Sequence, residues 1–202
     1  MSTPPKTPQR QIRALHGSET ITVYQAYSSA IASAAVAAQC LSASPSFSTT
    51  RMTWIKPSWA WMLYRSGYSY KDPRQERILA LRMKHADFIY LLEQGILDSH
   101  AKGGTKRKGD EVRIQWDPER NVRLDKVDYR SVQIGIPAGL SERWAKEMIV
   151  EIEDVTEMAR ELKRVLDARP DVTAEELVEL GLVPVEEVFD IPESVREKLR
   201  MD

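Results

Sequence analysis

The stretch Arg51-Met52-Thr53-Trp54-Ile55-Lys56-Pro57-Ser58-Trp59-Ala60-Trp61-Met62-Leu63-Tyr64-Arg65-Ser66 holds three of the chain's five tryptophans and three cationic side chains. Guanidinium groups grip phosphate oxygens in pairs, and aromatic faces stack on bases. Rings beside fixed cations therefore suit a pocket for something flat and negatively charged. The same residue types also suit a folding nucleus, and both readings stay open. Alternation predicts a strand over residues 51–56, with Arg51, Thr53 and Ile55 on one face and Met52, Trp54 and Lys56 on the other. Pro57 stops it. Ser58 then caps a helix that runs to about Arg65 and closes at Gly67. Met52 and Trp54 are expected to face the core. Lys56, Ser58, Trp61 and Arg65, at the handover from strand to helix, are expected to meet a ligand.

Other polar residues fall near predicted strand ends: Arg10, Arg13, Gln25, Gln115, Arg130 and Gln133. Thr53, Trp54, Trp61 and Trp116 would add a hydroxyl and rings. Each arginine alone is more often a surface ion-pair partner, and the ligand reading needs the strand ends to converge. Gln25 lies on the apolar face of its strand, so its amide must find partners in the backbone or in a ligand.

Several chemistries are excluded. His16, His85 and His100 are scattered, and no HExxH or CxxC spacing occurs, which argues against a zinc site. There is no GxxxxGK[ST] loop, no GxGxxG after a strand and no GxSxG elbow. The lone Cys40 forbids an internal disulfide, fits a reducing compartment and reads as an inert thiol. Residues 1–13 carry no apolar leader, and no apolar run is long enough to span a bilayer. A cytoplasmic or nuclear protein with no membrane partner is expected. The basic run Lys102–Lys108 reads as a solvated loop or as one that touches nucleic acid.

These side chains need a scaffold. With 202 residues, 42% of them hydrophobic, the chain can bury one self-sufficient core. Its charge is uneven. Residues 1–116 hold 16 Lys/Arg against 8 Asp/Glu, net +8, and the remainder hold 13 against 22, net −9. The first half therefore favours anions such as phosphates, RNA or DNA, unless the two halves pair with each other. Strands are expected near 10–15, 20–26, 51–56, 76–83, 112–116, 129–136 and 147–153. Helices are expected near 29–39, 58–65, 86–94, 141–146, 154–168, 174–180 and 193–199. Residues 117–120 read as a tight turn. Irregular alternation of helices and strands gives an α+β class. The expected architecture is a disordered lead over 1–9 and one core domain over 10–157. Its central sheet would be mostly antiparallel, split or barrel-like, and flanked by helices. A helical acidic extension over 158–202 would follow.

The words RQIRA, TVYQAYS, RMTWIKPS, WMLYRSG, QWDPER and YRSVQIG, in that order, resemble the family named "domain of unknown function 4291" over about residues 9–157. A second resemblance is to the ADP-ribosyltransferase-like fold. Val23-Tyr24-Gln25-Ala26-Tyr27-Ser28 before an alanine-rich helix is similar to its opening motif, in which a histidine that binds the NAD ribose stands where Gln25 stands here. That resemblance implies NAD as cofactor and transfer of ADP-ribose to protein or nucleic acid. It implies phosphates on Arg10, Arg13 and Arg51, and nicotinamide on Trp61 or Tyr64, with Tyr24, Thr53, Lys56, Ser58 and Arg65 around them. Glu76 or Gln133 would steady the reacting ribose, and Gln115, Trp116 and Arg130 would meet the acceptor. The other reading is a non-catalytic module that binds RNA or a nucleotide, supported by the basic first half, the aromatics and the basic loop.

Overall fold

A computed structural model describes residues 7–98 and 111–202. Most of the expected lead and the whole basic run Lys102–Lys108 lie outside the described residues. Among the described residues no helix is long and apolar enough to cross a membrane.

The chain is α+β. In order it forms β1 (Arg13–Ala14), β2 (Thr20–Tyr27), α1 (Ser29–Ala38), β3 (Thr53–Ile55), α2 (Trp59–Ser66), β4 (Arg77–Lys84) and α3 (His85–Gln94). Then come β5 (Ile96–Leu97), β6 (Arg113–Arg120), β7 (Lys126–Ile136), α4 (Ala138–Arg143), β8 (Ile149–Asp154), α5 (Thr156–Ala168), α6 (Ala174–Glu179), β9 (Glu187–Val188) and α7 (Glu193–Lys198). The strands make a three-stranded sheet β2-β4-β8, a four-stranded sheet β3-β7-β6-β5 and a two-stranded ribbon β1-β9. All pairings are antiparallel except β5 with β6. The sheet is thus split rather than closed into a barrel. Its two halves meet where Tyr24 and Lys56 form an isolated antiparallel bridge, with the Tyr24 amide donating to the Lys56 carbonyl at 2.8 Å.

Side-chain periodicity explains the layers. One face of β2 carries Ile21 and Val23, opposite Met83 and Leu81 of β4, and turns toward the larger core. Ile114, Trp116, Val132, Ile134 and Ile136 close that core from the second sheet. The other face of β2 and β4, with Tyr24, Ile78 and Ala80, meets a second core. There α5 places Ala159, Leu162 and Leu166, spaced three and four apart, on one buried stripe. On α2 the buried residues Trp59, Met62, Leu63 and Ser66 follow the same rule, and the Trp59 and Tyr24 rings pack 5.2 Å apart. Residues beyond 158 supply both cores, with Val172, Leu177 and Leu182 in one and Phe189, Ile191, Val195 and Leu199 in the other. Trp116 Nε1 donates to the Leu199 carbonyl at 3.1 Å, so the end of the chain caps the second sheet.

Two local expectations fail for identifiable reasons, and the start of α1 is capped from a distant segment. Asp117-Pro118-Glu119-Arg120 continues β6 instead of turning. Pro118 lies past the two β6 residues that β5 pairs, so its missing N–H breaks no ladder on that side. The reversal comes at 121–125, where Leu124 adopts a φ of 72°. Ser28 does not cap α1 through its side chain. Instead Glu76 reaches across and accepts from the Ser29 amide at 3.0 Å. Finally, it is Ile55, not Trp54, that reaches the larger core; Met52 and Trp54 lie half-buried against Gly135 on the outer face of the second sheet.

A Cβ on Gly135 would lie 2.8 Å from Cη2 and Cζ3 of Trp54 and 3.0 Å from the Met52 sulfur. Gly135→Ala should therefore cost about 1–3 kcal/mol in urea unfolding, because a filled contact must shift. Adding Trp54→Leu should recover most of that loss; a Gly135→Ala variant as stable as the parent contradicts the packing.

Candidate functional site

The residues of the tryptophan-rich stretch do converge, but into a closed network. Lys56 is 1% exposed. Its Nζ donates to Asp117 Oδ2 at 3.1 Å and to the Ser131 carbonyl at 3.2 Å, and sits 4.4 Å from the centroid of the Trp61 ring. Asp117 and Ser131 are direct partners across β6 and β7, so one face of that ladder presents both. Burial pulls the Lys56 pKa down, against the attraction of Asp117 and Glu119. Ser58 caps α2 by accepting from the Trp61 amide at 3.0 Å, and its own hydroxyl donates to Glu119 Oε1 at 2.8 Å. On the first amide of that turn, Trp59 N donates to Glu186 Oε1 at 2.6 Å. Glu186 keeps some exposure, yet burial of its carboxyl pushes its pKa up to about 8, with Glu119 adding to the rise. Arg13 stacks on Tyr129 at 5.3 Å, and Arg120 on Tyr64 at 4.0 Å.

Other sequence candidates are occupied elsewhere. Gln25 Nε2 donates to Thr53 Oγ1 at 2.8 Å and to the Trp54 carbonyl at 2.7 Å, while its Oε1 accepts from the Tyr27 hydroxyl. Its amide is thus used in joining the two sheets. Tyr24 is 1% exposed, in the second core. Arg10 is tied to the chain end through the Arg200 carbonyl and the Asp202 carboxylate. Trp116 is buried under Leu199, and Arg130 donates to the Trp116 carbonyl at 2.9 Å. Gln133 lies opposite Gln115 on the outer face of the second sheet, and Gln115 donates to Asp98 at 3.0 Å. Arg51 and Arg65 are exposed.

Glu76 belongs to a different place. Where β2 ends, β4 begins and β8 ends, a pocket of about 400 Å3 is lined by Ser29, Arg77, Asp154, Thr156, Glu157 and Arg160. All six of these residues carry polar or charged side chains. Asp154 accepts from Arg77 and from both the amide and the hydroxyl of Thr156. Burial pushes the Asp154 pKa up, but these hydrogen bonds outweigh it and hold the carboxyl below its usual range. Arg160 donates to Ser69 Oγ at 3.1 Å and to Glu157 at 3.1 Å, and lies 5.4 Å over the ring of Tyr70, which is 61% exposed. The Ser29 amide donating to Glu76 keeps that carboxyl ionised below its ordinary range. The N-termini of α1 and α5 both open here, adding partial positive charge. Among the described residues no group of three His, Cys, Asp or Glu is arranged to hold a metal ion.

The sequence reading reached Glu76 and missed Arg77, Asp154, Thr156 and Arg160. Asp154-Val155-Thr156 carried a usable signal, since a D-x-T before a helical pattern is a capping sequence. Asp117 and Glu119 were hidden by the turn assigned to their segment.

The family described as "Domain of unknown function (DUF4291)" matches residues 11–189. The chain belongs to the DUF4291 family. The match runs past residue 157, where the resemblance stops, and so takes in α5, α6 and β9 of this DUF4291 member. No curated protein matches the chain.

Two predictions concern the closed network. Breaking one side of a buried ion pair strands the other charge, so Lys56→Ala should cost about 3–5 kcal/mol. A double-mutant cycle with Asp117→Asn should show strong coupling, and additive losses contradict the pairing. Glu186 binds its proton more tightly folded than unfolded, since its pKa rises from 4.5 to about 8. Its stabilisation is therefore whole below about pH 4.5 and lost as pH rises through about 8. Relative to Glu186→Gln, the parent should lose about 1–3 kcal/mol between the two ends of that window. Parallel pH profiles contradict it.

Proposed function

We propose that the protein binds a nucleotide of the NAD type, with a ribose-phosphate unit in the polar pocket beside Ser29. The observation that carries this reading is the lining itself. Carboxylates suit sugar hydroxyls, guanidinium groups suit phosphate oxygens, and one pocket offers both within a volume usual for ligand sites. The exposed Tyr70 ring beside Arg160 supplies a stacking face for a base. The pocket also adjoins Tyr27-Ser28-Ser29, the strand-to-helix junction of the ADP-ribosyltransferase resemblance. In this reading the phosphate roles pass from Arg10, Arg13 and Arg51 to Arg77 and Arg160.

The chemistry that goes with such a ligand is transfer of ADP-ribose to protein or nucleic acid. The bond from ribose C1′ to nicotinamide nitrogen breaks, nicotinamide leaves with the electron pair, the acceptor nucleophile bonds to C1′, and the proton it loses passes to solvent. Glu76, kept ionised by the Ser29 amide, is the group of this chain suited to steady positive charge at that carbon. The protein would act in the cytoplasm or nucleus.

Calorimetric titration with NAD, ADP-ribose, ATP and short single-stranded RNA tests the reading. ADP-ribose or NAD should bind at millimolar concentration or better. Arg160→Ala should weaken binding about tenfold or more. Glu76→Gln should leave binding nearly intact while abolishing nicotinamide release. No heat with any nucleotide, or affinity unchanged in Arg160→Ala, overturns it; salt-sensitive binding of RNA alone would support the non-catalytic module instead.

A further inference from the structure

A second cavity lies between the first sheet, the start of α5 and the segment 181–184, and nothing in the proposed function uses it. About 250 Å3 in volume, it is walled by Leu15, Ala80, Val155, Met158, Val183 and Pro184, with Gly181 at its edge. Thr22 and Tyr24 form part of its lining. They are two apart on β2, so their side chains leave the same face. Thr22 is 4% exposed and Tyr24 is 1% exposed. Yet neither hydroxyl bonds to any group among the described residues, and neither is sealed away from the cavity. Buried polar groups are almost always partnered. Both hydroxyls belong to side chains that line the space between the sheet and the segment 181–184.

The electrostatics narrow the occupant. Burial raises the Tyr24 pKa well above its usual value, and Glu186 and Glu153 raise it further against Arg82. The phenol therefore stays a neutral O–H donor. Arg82, at the rim, is already shared between Glu151 and Glu153 at 2.6 and 3.6 Å. An anion gains no free cation here and would meet two carboxylates. The apolar walls favour a compact hydrocarbon body, and the volume falls below the ~300–1,000 Å3 of pockets for drug-sized ligands.

We propose that this cavity is a binding site for a small neutral amphiphile: an apolar ring or short chain bearing one carbonyl that accepts hydrogen bonds from the Thr22 and Tyr24 hydroxyls. The body packs against Ala80, Val155, Met158 and Val183. The site is separate from the polar pocket, so either can exist without the other.

Ligand-observed saturation-transfer NMR on the full chain tests this with acetophenone, benzoate and benzylamine, which share a ring and differ in charge. Acetophenone should bind, with intermolecular NOEs to the Met158 methyl and the Val183 methyls of the unmodified protein. Benzoate should not. Thr22→Val with Tyr24→Phe keeps the shape, removes both hydroxyls and should weaken acetophenone about tenfold or more. Ala80→Phe should fill the space and abolish binding. No transfer from acetophenone, NOEs to other residues, an unchanged affinity in the double variant, or tighter binding of benzoate or benzylamine overturns the assignment.

Discussion

A protonated lysine removed from water must satisfy three N–H donors. Lys56 does so with the Asp117 carboxylate, the Ser131 carbonyl and the face of Trp61. Those partners sit on β6, β7 and α2, while the Lys56 backbone bridges to Tyr24 on β2. One residue thus fixes both sheets and the helix between them. Buried ion pairs are often no more stabilising than well-packed apolar groups of the same volume. What this one supplies is position. A single-residue slip of β3 against β7 would turn Lys56 into the apolar core, where no carboxylate waits. Ser58, Glu119 and Glu186 extend the same logic through the first turn of α2.

The molecule therefore concentrates polar chemistry twice, in opposite ways. Around Lys56 the lysine bonds to Asp117 and the Ser131 carbonyl, and Ser58 bonds to Glu119 and the Trp61 amide. At the end of β2 the polar groups line a space. Arg77, Asp154 and Arg160 are also paired, but around a volume of about 400 Å3, and the termini of α1 and α5 point into the same region. Glu76 connects that region to the fold, because its carboxylate serves as the cap that Ser28 does not provide. A group that stabilises a helix start and remains ionised beside an open pocket is well suited to both structure and chemistry.

Much of this was legible in the sequence, because local physics dominates where periodicity is strong. The alternation in 20–27, the proline stop at Pro57, the Ser58 cap and the Gly67 end all read directly and recur in the structure. The helix expected near 154–168 did as well. What could not be read depends on partners distant in the chain. Whether Lys56 meets a ligand or an internal acid rests on Asp117, sixty-one residues away. Whether Gln25 faces a ligand rests on Thr53 and Trp54, brought in by sheet pairing. Pro118 made a strand look like a turn, because a propensity rule cannot know that β5 stops short of it. The pocket beside Ser29 draws on the ends of three strands and two helices, and no single segment announces it.

The proposed nucleotide site is the polar pocket at the end of β2 and not the tryptophan-rich network. Backbone and indole chemical-shift mapping on the labelled full chain with ADP-ribose separates the two directly. The amides of Ser29, Arg77, Thr156 and Arg160 should move on titration, while the indole signals of Trp54, Trp59 and Trp61 stay in place. Shifts centred on Trp61, Tyr64 and Arg120, with the Ser29 and Thr156 amides unmoved, would contradict it.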